Sequence, residues 1–423
     1  MLVRDIDLVD AVADLFDNCV DGALRLRDGS KKGYEDLWVR MEADNKHFRI
    51  ADNCGGIPVD IARNYAFRFG RPSDMPLTKH SVGQFGIGMK RALFKLGNVF
   101  EVESRTATSS FTLKVNVAHW QQRPEWEFTF DRLQEQITVP EHKRGTTIEV
   151  TELNEGVASA FELENFRTRL RERLEGKHQF SLGKGLEVSL NTAPLRFEEA
   201  ILLSTRELKP AHFKQKYFRE SDTPVTVNIY VGIADSLPSA GGWYVYCNGR
   251  AVLEADQTDV TGWGEGGAVT IPKYHNQYAR FRGYCFFDCD DAGLLPWNTT
   301  KTGVSLDSPL YKAVRQEMIA LMRPVVTFLN KLKEEEATAK QTGDSPVADQ
   351  LEKAKEVPLT QFKAATTFQS PSFRVVRTPV GQLISYRKPS DQVAKVRKVL
   401  QVTTLKAVGE KTFEYFLKTE CKD

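Results

Sequence analysis

Asp10, Asp14, Asn18 and Asp21 recur at spacings of four, four and three, which puts them on one face of a helix. Downstream, Asp52-Asn53-Cys54-Gly55-Gly56-Ile57-Pro58 follows an alternating, strand-like run. Further on, Gly83-Gln84-Phe85-Gly86-Ile87-Gly88-Met89-Lys90 opens an apolar, helix-like run. Taken singly, these stretches have ordinary explanations: a solvated helix face, a turn and a glycine loop. In this order they suit chemistry on a nucleotide. The Asn18 amide oxygen can complete an octahedral Mg2+ shell otherwise filled by phosphate and water. Asp14, one turn earlier, is placed to take a proton from a water attacking a terminal phosphate. Asp52, at a strand end, is an acceptor for the exocyclic amine of adenine. Gly83, Gly86 and Gly88 let backbone N–H groups approach phosphates, the helix N-terminus beyond them favours an anion, and Lys90 adds positive charge. No G-K-[ST] follows a G-x-x-x-x stretch, and the glycine loop does not follow the first strand of a βαβ unit. The Walker and dinucleotide fingerprints are therefore both absent.

These residues need elements to hold them. Ile6 to Leu24 has helical periodicity, with Leu8, Val12, Leu15 and Cys19 in one stripe, Val9, Ala13, Phe16 and Val20 in another, and a stop expected at Gly22. Leu37–Glu42 and His47–Ile50 predict a hairpin that delivers Asp52. Strands are expected at 99–103, 111–117 and 146–151, and a helix carries Phe166, Leu170 and Leu174. The region from 186 to 290 is strand-rich. A helical run from Ser308 to Glu334 contains Pro324, which should kink or split it.

The three stretches resemble the motifs of the GHKL ATPase superfamily, which comprises gyrase, the ninety-kilodalton heat-shock chaperones, histidine kinases and MutL. Val82–Lys90 is nearest in wording to the chaperone and MORC branches. Ala11–Asp21 is similar to the first motif, E-L-x-D-N-S-x-D-A, and Asp52–Pro58 to the second, D-N-G-x-G-I-P. Gly145-Thr146-Thr147-Ile148-Glu149-Val150 is similar to the fourth. The resemblance implies that Asp52, Gly56 and Thr146 bind the nucleotide around its base, and that residues from about 58 to 88 form a lid. Tyr246-Cys247-Asn248-Gly249-Arg250-Ala251-Val252 resembles the N-G-R strand of the transducer domain in gyrase and MutL relatives. In those families a transducer lysine reaches the terminal phosphate, and here Lys301, in Asn298-Thr299-Thr300-Lys301-Thr302-Gly303, is the candidate. Two positions depart from the pattern. Asp14 stands where the family has glutamate, so the carboxylate is one methylene shorter; a misplacement of about 1 Å costs on the order of a hundredfold in rate. Cys54 stands where the first glycine of the second motif is expected, so the turn pivots either there or at Gly55.

The expected fold is α+β: a GHKL-type α/β sandwich over 1–185, a transducer α/β domain over 186–335, and a linker with a small C-terminal region over 336–423. Lys331 to Val357, rich in Lys, Glu, Ala and Gln, reads as a solvated helix or linker. A hairpin is expected around Pro379-Val380-Gly381, then helices near 393–402 and 411–418.

Composition agrees with a globular chain. Among 423 residues, 41% are apolar and 27% charged, and 58 Lys and Arg against 56 Asp and Glu leave a net charge of +2. So small an excess gives no support for a dedicated nucleic-acid binder. No apolar run is long enough for a membrane helix, and six cysteines are too few for a disulfide framework, which favours a cytoplasmic protein. The implied function is a Mg2+-dependent, slow ATPase whose ATP-driven homodimeric closure acts on a protein partner or a nucleic acid. The alternative is a nucleotide-binding regulator with little hydrolysis.

Overall fold

The computed structural model describes residues 6–27, 32–67, 79–82, 88–122, 128–218, 220, 222–266, 270–342, 346–359, 361, 365–373 and 384–421. The chain divides into two compact units, Met1–Phe373 and Arg374–Asp423.

The larger unit starts with α1 (Leu8–Leu26), whose N-cap Asp7 accepts a hydrogen bond from the Val9 amide at 2.8 Å. The helix does not stop at Gly22. A side chain there would come within 2.8 Å of the Cys54 carbonyl, so glycine serves close approach rather than termination. Next come β1 (Trp38–Ala43) and β2 (His47–Asp52), then α2 (Gly88–Leu96), β3 (Gly97–Arg105), β4 (Ser109–Asn116), β5 (Arg132–Glu135) and β6 (Gly145–Leu153). After them run α3 (Glu155–Glu162), α4 (Glu164–Lys177), β7 (Glu187–Leu190) and β8 (Ala193–Pro194). These strands form one sheet in the order β5-β4-β3-β6-β2-β1-β7-β8. Every pair is antiparallel except β1 and β7, which run parallel.

The register explains where the polar site falls. Leu113, Val102, Ile148, Ile50 and Met41 line up across five strands as one buried row. In the next row Phe111 pairs with Ser104 and Ser104 with Thr146, at the end of the sheet where β2 terminates in Asp52. The apolar face thus turns polar at one end. α1, α2 and α4 close the core through Val12, Leu15, Phe16, Leu93 and Leu170.

A second layered body follows within the same unit. After the short strand β9 (Ile201–Ser204), β10 (Ala211–Tyr217), β11 (Val225–Ile233), β12 (Gly242–Cys247), β13 (Arg250–Asp256) and β14 (Phe281–Asp288) form a sheet in the order β10-β11-β14-β12-β13. Val227, Ile229, Val245 and Phe287 pack against Val314, Met318, Met322 and Val325 of α5 (Pro309–Thr342). This helix runs unbroken through Pro324, against the expected split. An interior proline costs about 3 kcal/mol. Met322, Val325, Val326 and Leu329 are all buried around it, each worth about 1.5–3 kcal/mol, and offset that cost.

The stretch expected to be a linker also differs. α6 (Pro346–Glu352) buries Val347 and Leu351 in the second core, and β15 (Lys355–Pro358) pairs antiparallel with β9. Two apolar residues at helical spacing were enough to dock a segment whose composition reads as solvated.

In the smaller unit, α7 (Ser390–Leu400) ends at Gln401 with φ +54°, and Thr404 caps α8 (Leu405–Glu420) by accepting from the Ala407 amide at 3.2 Å. The hairpin expected around Pro379 lies outside the described residues. Among the described residues, no helix is long and apolar enough to cross a membrane.

Gly145 opens β6 at φ +141°, and a side chain there would lie 1.9 Å from the Asp52 carbonyl. Gly145→Ala is expected to destabilise the protein by about 1–3 kcal/mol through backbone strain alone. A lowered midpoint in chemical denaturation checks this.

Candidate functional site

α1 carries four polar residues inward, and each meets a different neighbour. Asp14 is buried, and a methyl group on Gly88 would come within 3.0 Å of its Oδ2, so the start of α2 abuts this carboxylate. Burial pushes the Asp14 carboxyl above its ordinary value, the nearby Asp17 adds to that, and Lys301 and Arg250 act against it. Asn18 Nδ2 donates to the Asp14 carbonyl at 3.0 Å. That bond orients the amide and leaves Oδ1 with no hydrogen bond among the described residues.

A pocket of about 370 Å³, counting its open mouth, lies beside Asn18 and is lined also by Leu15, Asp52, Gly56, Met89 and Thr146. Asp52 Oδ1 accepts from the amides of Cys54 at 2.7 Å and Thr146 at 3.3 Å. Burial raises its carboxyl to about 6, so it is mostly an ionised acceptor at neutral pH. Thr146 Oγ1 sits 3.1 Å from Ser104 Oγ, which also accepts from the Ile57 amide at 2.7 Å. The turn after Asp52 pivots at Gly55 (φ +88°) and Gly56 (φ +76°), while Cys54 keeps a negative φ. The position where glycine was expected is therefore unstrained.

Lys301 enters from the second body. Its Nζ lies 2.7 Å from Asp17 Oδ2 and 3.8 Å from Asp14 Oδ1. Arg250, at the head of β13, donates through Nε to Asp17 Oδ1 at 2.8 Å. Burial, the largest single influence, pushes Asp17 up, but Arg250, Lys301 and His178 outweigh it and hold the carboxyl well below its ordinary value. His178 Nε2 stands 3.2 Å from Asp17 Oδ1, and burial lowers the pKa of the ring below its ordinary value. Asp21 accepts from the Val82 amide at 2.7 Å and from Ser81 Oγ at 2.9 Å. Asn248 Nδ2 donates to the Ser81 carbonyl at 3.1 Å, so the residues just before the glycine stretch are tied to both bodies.

The expected residues thus fall into separate groups. Asn18, Asp52, Gly56 and Thr146 line the pocket, while Asp14, Gly88 and Lys301 meet beside it. Lys90 is buried on α2 and donates to the Ala66 carbonyl at 3.1 Å, and burial lowers it to about 8. Gly83 and Gly86 lie outside the described residues. Asp17, Arg250 and Ser104 received no role from the sequence. The signal for Asp17 was a carboxylate set between Ala13 and Val20 of an apolar stripe.

A largely antiparallel sheet whose polar end faces a helix bearing Asp14 and Asn18, with Asp52 across a pocket, makes an α/β sandwich. Residues 6–146 match the family described as histidine kinase-, DNA gyrase B- and HSP90-like ATPase. Over this segment, about a third of the chain, the match supports the GHKL superfamily. The match ends at Thr146, at the start of β6, and no curated protein matches the chain.

Removing a carboxylate from a buried ion cluster costs about 3–5 kcal/mol. Asp17→Ala is expected to lower stability by that amount. Because the folded value of Asp17 is depressed, its contribution is fully present above about pH 4, near its ordinary 3.8, and is lost as pH falls through the folded value. Urea denaturation of both proteins from pH 3 to 8 checks this: the difference stays constant above pH 5 and shrinks in stronger acid.

Proposed function

We propose that this chain is an ATP-binding and hydrolysing switch that requires Mg2+. The reading rests on one arrangement: Asp14 and Asn18 one helical turn apart and hydrogen-bonded, with Lys301 Nζ 3.8 Å from the Asp14 carboxylate. The pocket takes the adenine, with Asp52 accepting from its exocyclic amine and Thr146 beside it, partly through water. Asn18 Oδ1, which makes no hydrogen bond among the described residues, suits a hard cation ligand. Bound Mg2+ supplies charge neutralisation at the phosphates. The glycine motif that ends at Gly88 is assigned to the phosphates from its sequence.

In the reaction a water oxygen bonds to the terminal phosphorus and the bond to the bridging oxygen breaks, releasing ADP. Asp14 takes the proton that the water loses. Its raised pKa makes it a stronger base than an exposed aspartate, in part compensating for the shorter side chain. Lys301 stabilises the charge that gathers on the terminal oxygens. Binding brings two subunits together and hydrolysis releases them, and this closure acts on a partner protein or a nucleic acid.

Asn18→Ala is expected to lose Mg-nucleotide binding by tenfold or more. Asp14→Ala is expected to keep binding within about threefold and to lose turnover by about a hundredfold or more. Calorimetry and phosphate release measure the two. Background release by the parent protein with intact binding would favour the regulator that hydrolyses little. Sedimentation with a non-hydrolysable ATP analogue is expected to show a dimer, weakened by Lys301→Ala. One mass with and without the analogue would overturn the closure.

A further inference from the structure

Lys301 sits in a tight loop that is largely self-bonded. Asn298 N donates to the Gly303 carbonyl at 3.0 Å, Lys301 N to the Asn298 carbonyl at 3.0 Å, and Thr302 N to Asn298 Oδ1 at 3.0 Å. Even so, Lys301 holds φ +55°, the left-handed region that a lysine rarely adopts. Such a conformation persists only where surrounding bonds over-determine it. Three bonds do so here, and they form a closed ring. Arg250 Nε donates to Asp17 Oδ1 at 2.8 Å, Arg250 Nη1 donates to the Lys301 carbonyl at 2.5 Å, and Lys301 Nζ donates to Asp17 Oδ2 at 2.7 Å. All three residues are buried. The guanidinium fork is what allows one side chain to hold a carboxylate and a carbonyl together, and a lysine cannot reproduce that geometry.

We propose that Arg250 and Asp17 are positioning residues, which hold the backbone and the ammonium group of Lys301 beside Asp14. The role rests on the phosphoryl-transfer reading above. Arg250 touches neither substrate nor the reacting atoms; it acts through Lys301. Asp17 fixes where the ammonium group waits, one turn from Asn18. The terminal phosphate then meets a lysine whose direction is already set, so little ordering is left to the reaction itself.

Arg250→Lys tests this with a buried cation kept beside Asp17 but the fork removed. Turnover is expected to fall tenfold or more, while KM and nucleotide affinity stay within about threefold. The double variant Arg250→Lys/Lys301→Ala should turn over no more slowly than Lys301→Ala alone, because Arg250 works only through Lys301. Losses that multiply, or a KM that rises in step with a lowered melting temperature, would show a merely structural role and overturn the proposal. A second arm needs no turnover: labelling of Lys301 by an amine-reactive anhydride, read by mass spectrometry on the nucleotide-free full chain. Lys301 is expected to be protected in the parent and labelled at least fivefold more in Arg250→Lys and in Asp17→Asn. Equal labelling in all three would sink the clamp. A parent protein with no turnover but a protected Lys301 would overturn the ATPase reading and leave the clamp standing.

Discussion

A carboxylate buried in the middle of the first helix is the constraint around which the larger unit is built. Removing an ion from water costs several kcal/mol even after relaxation, and Asp17 sits among Ala13, Phe16 and Val20 with almost no exposure. Arg250 and Lys301 at its two oxygens make that position tolerable. The consequence is architectural. The helix that forms one wall of the pocket buries an ionised Asp17 against β13 and the 298–303 loop. The two layered bodies are therefore held in one unit by an ionic contact at the place where chemistry is expected.

The other carboxylates of α1 extend the same logic. Asp14 faces the start of α2, and Asp21 fastens Ser81 and Val82. Asn18, between them, faces the pocket. Val82 itself is packed in the core of the second body rather than the first. His80, two residues earlier, pairs with Asp290 at 3.1 Å, next to the Cys289 backbone that Asn248 holds through both its amide groups. One helix thus addresses the pocket, the glycine-bearing helix, the residues at 81–82 before it and the second body. A spacing of three and four residues is enough to send each side chain to a different neighbour.

Much of this was legible from residue type and spacing. The helix face with Asp14 and Asn18, the hairpin ending in Asp52 and the strand opening at Gly145-Thr146 all follow from periodicity and turn chemistry, which are local. What was not legible depends on distant partners. Asp17 reads as one more acidic residue until Arg250 is known to face it. Ser104 reads as an ordinary strand position until the register places it beside Thr146. Pro324 and the stretch from 336 to 358 misled for the same reason. Local composition argued for a break and a solvated linker, and tertiary burial of Met322, Val325, Val347 and Leu351 overrode both.

The parallel pairing of β1 with β7 has a bearing on how the protein comes to exist at all. Trp38 waits for Glu187, and Asp17 waits for Lys301, 284 residues later in the chain. At about 5–20 residues per second on the ribosome, that interval is roughly 15–60 s. Throughout that interval Asp17 stays in water or is buried as the neutral acid, so its ionised form settles among Ala13, Phe16 and Val20 only after the 298–303 loop has been made.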